Sequence, residues 1–275
     1  MHYDSIKGPL GRFFNLHPLL RILFYRMLNV LLLRTWHVKK ALREWAREHA
    51  APASILDAGM GFGQYSYLLA RLHPQYQVLG VDVKEDQVAD CNQFFAKAGL
   101  NNARFEYADL EKFKVNESFD LILSVDVMEH IPDDNAVFRN FYRALKPGGQ
   151  LIISTPSDQG GSDVHDHEGE NPGDGSRSFI SEHVRDGYNL LGIQEQLRQA
   201  GFSKTEASYT YGGPGKISWK LSMKYPILML NASRLFFIVL PFYYLLTFPF
   251  CLILNYLDVR GKHASGTGLL VKAWK

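Results

Sequence analysis

Two cysteines in 275 residues, Cys91 and Cys251, leave little room for cross-links or metal ribbons. They lie far apart and neither belongs to a CxxC pair, so neither a disulfide framework nor a zinc ribbon is expected, and a reducing compartment fits. An excess of charge of one sign is also missing. The formal net charge is +2, which gives no global signal for nucleic acid, and no nucleic-acid partner is expected. Met1 to Phe14 has neither an apolar run nor a small-residue cleavage site, so a signal peptide is not expected there. No internal repeat and no low-complexity tract interrupts the chain.

What is present is an ordinary globular composition, 46% apolar and 21% charged. Residues 18–49 contain no glycine, are rich in Leu and Arg, and have Pro18 near the start. They read as one helix. The pattern then alternates. Short buried strands are expected at Ser54–Ala58, Gln77–Val83, Ala103–Tyr107, Phe119–Val125 and Gln150–Ser154. Helices are expected at Gln64–Leu72, Glu85–Ala98 and Asn135–Leu145 between them. Alternation at this spacing predicts a doubly wound α/β fold with a mostly parallel sheet. A polar stretch over 155–188 reads as a long loop, followed by a helix at Asn189–Ala200 and strands at Phe202–Tyr211 and Thr267–Trp274.

The strongest local motif is Asp57-Ala58-Gly59-Met60-Gly61-Phe62-Gly63, between a strand and a helix. Glycines there permit a tight turn and close backbone approach to a ligand. The following helix offers free N–H groups and the positive end of its dipole. A dinucleotide fingerprint would need a glycine at position 64, where the chain has Gln64. A nicotinamide oxidoreductase is therefore a distant alternative. Asp82 ends the second strand, Asp109 follows the third, and Asp126 ends the fourth.

The segments ILDAGMGFG (55–63), VLGVDV (78–83), YADL (107–110), FDLILSVDVMEHIPD (119–133) and LKPGGQLIIS (145–154) occur in this order. In order and spacing they resemble the class I S-adenosylmethionine-dependent methyltransferases, particularly the small-molecule and quinone enzymes of the methyltransferase type 11 kind. The resemblance covers roughly residues 50–211. It implies a Rossmann-like core with a seven-stranded sheet and S-adenosylmethionine as cofactor, released as S-adenosylhomocysteine. It assigns Gly59, Gly61 and Gly63 to the methionine part, Asp82 to the ribose and Asp109 to the adenine. Asp57 supports the loop near the cofactor's amino group. Val83 and Leu110 are placed to sandwich the base, and Asp126 joins the cofactor-binding set.

Methyl transfer to a hydroxyl or amine also calls for a proton acceptor, and histidine titrates near neutrality. His130 follows the fourth strand and His183 precedes the late helix, and both are candidate catalytic residues. The alternative for each is a structural role in its loop. The His165-Asp166-His167-Glu168 run offers only a weak metal signal in a lid-like loop, and no metal is expected.

The unusual feature is Leu235–Leu257, a charge-free apolar run long enough to span a bilayer. It falls between the last two strands, which the resemblance pairs in one sheet, so a single crossing would split that sheet. Pro241 and Pro249 are expected to interrupt a straight helix. The reading is an N-terminal helical extension (1–50), a methyltransferase core (51–212 plus 264–275) and an apolar helical insertion (213–263). The insertion is expected to contact a membrane through short helices or a re-entrant hairpin. Lys216, Lys220, Lys224, Arg234, Arg260 and Lys262 suit anionic headgroups. The expected enzyme methylates a hydrophobic small molecule or lipid, peripherally on the cytoplasmic, inner face of the membrane. Two alternatives stand beside it. One is a soluble enzyme for a polar metabolite that uses the insertion as a homodimer interface. The other is a non-catalytic cofactor-binding assembly subunit.

Overall fold

The computed structural model describes residues 17–160, 184–233 and 235–275. Two helices, α1 (Pro18–Leu31) and α2 (Leu33–Glu48), precede the sheet. Residues 18–49 are thus not one helix. The chain breaks at Leu32, whose backbone is extended at φ −89° and ψ 112°. Tertiary packing overrides helix propensity here. The break lets α1 bury Arg21 and Tyr25 against the glycine turn, while α2 keeps Val38, Ala41, Leu42 and Trp45 in the core.

Seven strands follow: β1 (Ala53–Ala58), β2 (Tyr76–Asp82), β3 (Ala103–Tyr107), β4 (Phe119–Val125), β5 (Leu145–Pro156), β6 (Lys204–Thr210) and β7 (Gly268–Trp274). They form one sheet in the order β3-β2-β1-β4-β5-β7-β6. The first five are parallel, and β7 runs antiparallel between β5 and β6. Successive side chains on a strand point to opposite faces. Accordingly Leu56, Ile122, Leu151 and Ile153 join one apolar cluster and Ile55, Leu121, Leu123 and Ile152 the other. Helices α5 (Asp134–Ala144) and α6 (Leu190–Gln199) cover the first face. Helices α2, α3 (Gln64–Leu72) and α4 (Glu85–Lys97) cover the second. Buried on both faces, these strands read as near-continuous apolar runs.

Between β6 and β7 the chain builds a helical hairpin. Its outgoing arm is α7 (Gly213–Trp219), a π turn (Lys220–Lys224) and α8 (Tyr225–Ala232). Its returning arm is α9 (Phe236–Arg260), of 25 residues. Thr210 and Pro156 both register with Gly268. The hairpin therefore rises from the edge of the sheet where the parallel strands end. Pro241 and Pro249 lie inside α9 and do not interrupt it, against expectation. A proline costs about 3 kcal/mol in a helix interior. The helix continues through both residues despite that cost.

The hairpin is seated through one carboxylate. Asp258 is fully buried near the end of α9. It accepts the N–H of Gly215 at 3.0 Å and of Tyr211 at 3.1 Å. His37 Nε2 of α2 lies 2.8 Å away and His263 Nε2 3.2 Å away. Four segments of the chain converge on this group. Removing one member of a buried charged cluster leaves the others desolvated and unpaired, at about 3–5 kcal/mol. Asp258→Ala is expected to lose stability on that scale in chemical denaturation, and Asp258→Asn, which keeps one acceptor oxygen, distinctly less.

Candidate functional site

The site is assembled where β1, β2, β3 and β4 end. After β1 the chain turns back on itself, and the N–H groups of Gly59 and Met60 donate to Val81 O at 2.9 and 3.0 Å. Gly59 has φ +76°, and a Cβ there would collide with the Val127 side chain. Gly61 has φ +51°, and a Cβ there would meet nothing closer than 3.9 Å. The turn is thus packed beneath Gly59 and open above Gly61. Gly63, also left-handed at φ +72°, starts α3.

Asp82 completes this cradle. Its carboxylate accepts the N–H of Gly61 and of Lys84, each at 3.0 Å. Each oxygen keeps a lone pair for a ligand hydroxyl. Val83 stands exposed beside it. On the neighbouring strand, Asp109 follows β3, accepts the Glu111 N–H at 3.0 Å and pairs with Lys112 at 2.9 Å. Lys112 holds the Asp109 carboxyl below the ordinary carboxylate range. Leu110 is buried in the core under this turn. Asp57 is also buried and lies beneath the turn, accepting the Ser66 hydroxyl at 2.5 Å. Desolvation raises its carboxyl to about 6.

On the other side of β1, Asp126 follows β4 in the left-handed region at φ +51° and is ion-paired with Arg34 of α2. Strain of this kind concentrates at functional sites. The single-turn helix Met128–His130 follows. Glu129 is buried in it, with the Thr155 hydroxyl donating at 3.1 Å. Burial pushes the Glu129 carboxyl up, against the pull of its own backbone, Arg34, His130 and Thr155. His130 ends the same turn, half-buried, with its backbone N–H on Val127 O at 3.0 Å. His183 and the run His165–Glu168 lie outside the described residues.

Two phenols complete the surroundings of Arg34. The Arg34 N–H donates to the Tyr211 hydroxyl at 2.9 Å, and the Tyr65 hydroxyl lies 3.3 Å from Thr35 Oγ1. Burial raises both phenols, while Arg34 pulls them down. From outside, α1 braces the turn. The Phe62 carbonyl accepts from Arg21 at 2.8 Å and from the Tyr25 hydroxyl. Arg21 also pairs with Asp90 at 2.5 Å.

The structure thus brings Gly59, Gly61, Gly63 and Asp82 into one cradle, with Asp109 at the adjacent strand end and Asp126, Glu129 and His130 across it. No site role is expected from the sequence for Arg34, Glu129, Tyr65 or Tyr211. Glu129 stands among other acids at this strand exit, and only its burial sets it apart. Nothing local couples Arg34 to Asp126.

The donor set suits an S-adenosyl group: an open glycine turn, a carboxylate for vicinal hydroxyls and a second acceptor one strand further on. Sheet order and site together define the class I S-adenosylmethionine-dependent methyltransferase fold. A family model described as a methyltransferase domain matches residues 50–203, and the chain belongs to that family. Over 159 residues it is 34% identical to phosphoethanolamine N-methyltransferase 1 of Triticum aestivum, covering 55% of this chain and 28% of the relative. Over 110 residues it is 32% identical to the ubiquinone biosynthesis O-methyltransferase of Pseudomonas fluorescens (strain Pf0-1), covering 40% of this chain and 47% of the relative. The matched segments span less than half the length of either relative. The phosphoethanolamine N-methyltransferase 2 of Haemonchus contortus, solved with S-adenosyl-L-methionine, superposes with a TM-score of 0.60 at 22% identity. That match covers 87% of this chain and 52% of the other, and the likeness is one of fold.

Asp57 makes a pH prediction. Its folded value of about 6 lies above its ordinary 3.8. Between these limits the folded chain holds a proton that the unfolded chain releases. Its contribution is therefore fully present below pH 4 and falls as pH rises to about 6. Denaturation midpoints of the wild type relative to Asp57→Asn should decline across that window, and a flat difference would refute the assignment.

Proposed function

We propose that this chain transfers a methyl group from S-adenosylmethionine to a hydrophobic small molecule or lipid, working peripherally on the inner face of the cytoplasmic membrane. One observation carries the reading. The apolar hairpin rises from the same sheet edge as the glycine turn, Asp82 and Asp126. An acceptor arriving along that surface meets the cradle without crossing the protein. The relatives named for phosphoethanolamine and for ubiquinone biosynthesis support a small-molecule acceptor.

Bound in the cradle, the cofactor supplies an activated methyl group on a sulfonium. With the cofactor held there, its methyl carbon would be open to the acceptor's lone pair, the carbon–sulfur bond breaking with its electron pair left on sulfur. The protein's share is alignment and exclusion of water. Asp82 and the turn hold the ribose and methionine ends, and Asp109 receives the adenine amine. Arg34, tied to Asp126, closes the side facing α2. A hydroxyl or amine acceptor loses its proton to His130, which the neighbouring Glu129 carboxyl supports. His183 is the other histidine suited to this role. S-Adenosylhomocysteine leaves as the second product.

The test uses methyl-labelled S-adenosylmethionine, the full chain and a total membrane extract, with products partitioned between organic and aqueous phases. Label is expected in the organic phase and is lost in Asp82→Ala, which also loses cofactor binding by calorimetry. Label confined to the aqueous phase would overturn the apolar acceptor in favour of a polar metabolite. Absence of cofactor binding by the wild type would overturn the enzyme reading altogether. His130→Ala is expected to retain cofactor affinity and lose about 100-fold or more in turnover. Turnover within threefold of wild type would remove His130 from the mechanism.

A further inference from the structure

We propose that the Gly213–Arg260 hairpin is a one-leaflet anchor for an anionic membrane, its tip in the hydrocarbon and its lysines at the phosphates. This deepens the reading above by naming the surface that presents the acceptor, and it rests on that reading only for the acceptor's location.

Topology limits the depth. Both arms return to one edge of the sheet, because β6 and β7 pair along their length. The chain therefore leaves and re-enters on the same side of any membrane. Beyond Lys224 the outgoing arm has only Tyr225–Ala232 before the turn. At about 1.5 Å per residue that is about 12 Å, short of the roughly 15 Å depth of one leaflet's hydrocarbon. Spanning both leaflets would drag Lys216, Lys220 and Lys224 through the core. Arg234 lies in the sequence between the arms, and an arginine is costly at the bilayer centre. That favours an oblique hairpin over an upright one.

Composition selects the lipid. From Gly213 to Leu257 the chain has no Asp or Glu. Lys216, Lys220 and Lys224 recur every four residues, which places them on one face of the outgoing arm. Arg260 and Lys262 stand at the base of the other. Basic residues at the surface of an acidic leaflet are each attracted to its headgroups.

The hairpin's interior is self-sufficient. A π turn displaces carbonyls from the regular ladder. The carbonyls of Leu221 and Ser222, in that turn, accept the Tyr243 and Tyr244 hydroxyls at 2.7 and 2.8 Å. Nearer the base, the Ser218 hydroxyl donates to Asn255 Oδ1 at 2.6 Å. Polar groups are thus paired between the arms, as hydrocarbon demands. The outside is apolar. Only 11% of the central stretch of α9 is buried, and Phe237, Ile238, Phe242, Leu245, Leu246 and Phe250 are exposed. A second apolar stripe, Leu19, Leu23, Met27 and Val30, is exposed on α1, whose other face braces the glycine turn.

The full chain would be floated with neutral phosphatidylcholine vesicles and with vesicles containing phosphatidylglycerol. Flotation is expected mainly with the anionic vesicles and should weaken as salt rises. The Lys216→Glu/Lys220→Glu/Lys224→Glu variant should lose about tenfold or more in affinity, and Phe242→Ser/Leu246→Ser should lose flotation. S-Adenosyl binding should be unchanged in both, so failure of the anchor and failure of the methyltransferase reading are told apart. A maleimide trapped inside the vesicles should not label Ser233→Cys at the hairpin tip. No flotation, equal flotation with both vesicles at all salt concentrations, or labelling from inside would overturn the proposal. So would a stable dimer that floats with neither vesicle and that Phe242→Ser/Leu246→Ser dissolves, which would make a second copy the occupant.

Discussion

The antiparallel strand β7, laid between β5 and β6, is the constraint from which the rest of the molecule follows. Its pairing is continuous on both sides, from Pro156 to Gln150 and from Thr210 to Lys204. A strand held along its whole length cannot be displaced by what precedes it. Everything between β6 and β7 must therefore begin and end at the carboxyl edge. The same edge carries the glycine turn, because parallel strands with crossover helices present all their exits on one side. Cofactor cradle and apolar hairpin become neighbours through topology, with no contact between them required.

Contacts then refine that proximity. Asp258 collects Gly215, Tyr211, His37 and His263. Tyr211 in turn receives the N–H of Arg34, and Arg34 holds Asp126 at the lip of the site. The seat of the hairpin and the wall of the cradle thus share α2. The glycine turn is fixed from below by Val81, from the side by Asp82 and from outside by Arg21 and Tyr25. A turn secured from three directions is pre-organised, so less ordering remains to be done when a ligand arrives.

The core was legible in the chain because its rules are local. Strand burial, the spacing of Gly59, Gly61 and Gly63 and the acids at strand ends repeat at short range. Three things were not legible. Leu32 breaks a good helical sequence because two surfaces, one on the glycine turn and one on the sheet, compete for its two halves. Pro241 and Pro249 are breakers by local rule, yet α9 continues through both. Arg34 and Asp126 meet only because the folded sheet and α2 bring them together. Glu129 lay in plain view within a quoted segment, but its importance comes from burial, which the residues around it do not announce.

Thr210 and Gly268 face one another across the sheet, so the hairpin is a parenthesis in the chain. Text inside a parenthesis can lengthen or shorten without disturbing the sentence. Adding a helical turn to each arm beyond Tyr243 and Tyr244 would extend the reach of the tip by about 5 Å and leave every strand in register. The reach of the hairpin and the chemistry of the cradle are thereby free to vary independently, one by the length of the arms, the other by the residues at the strand ends.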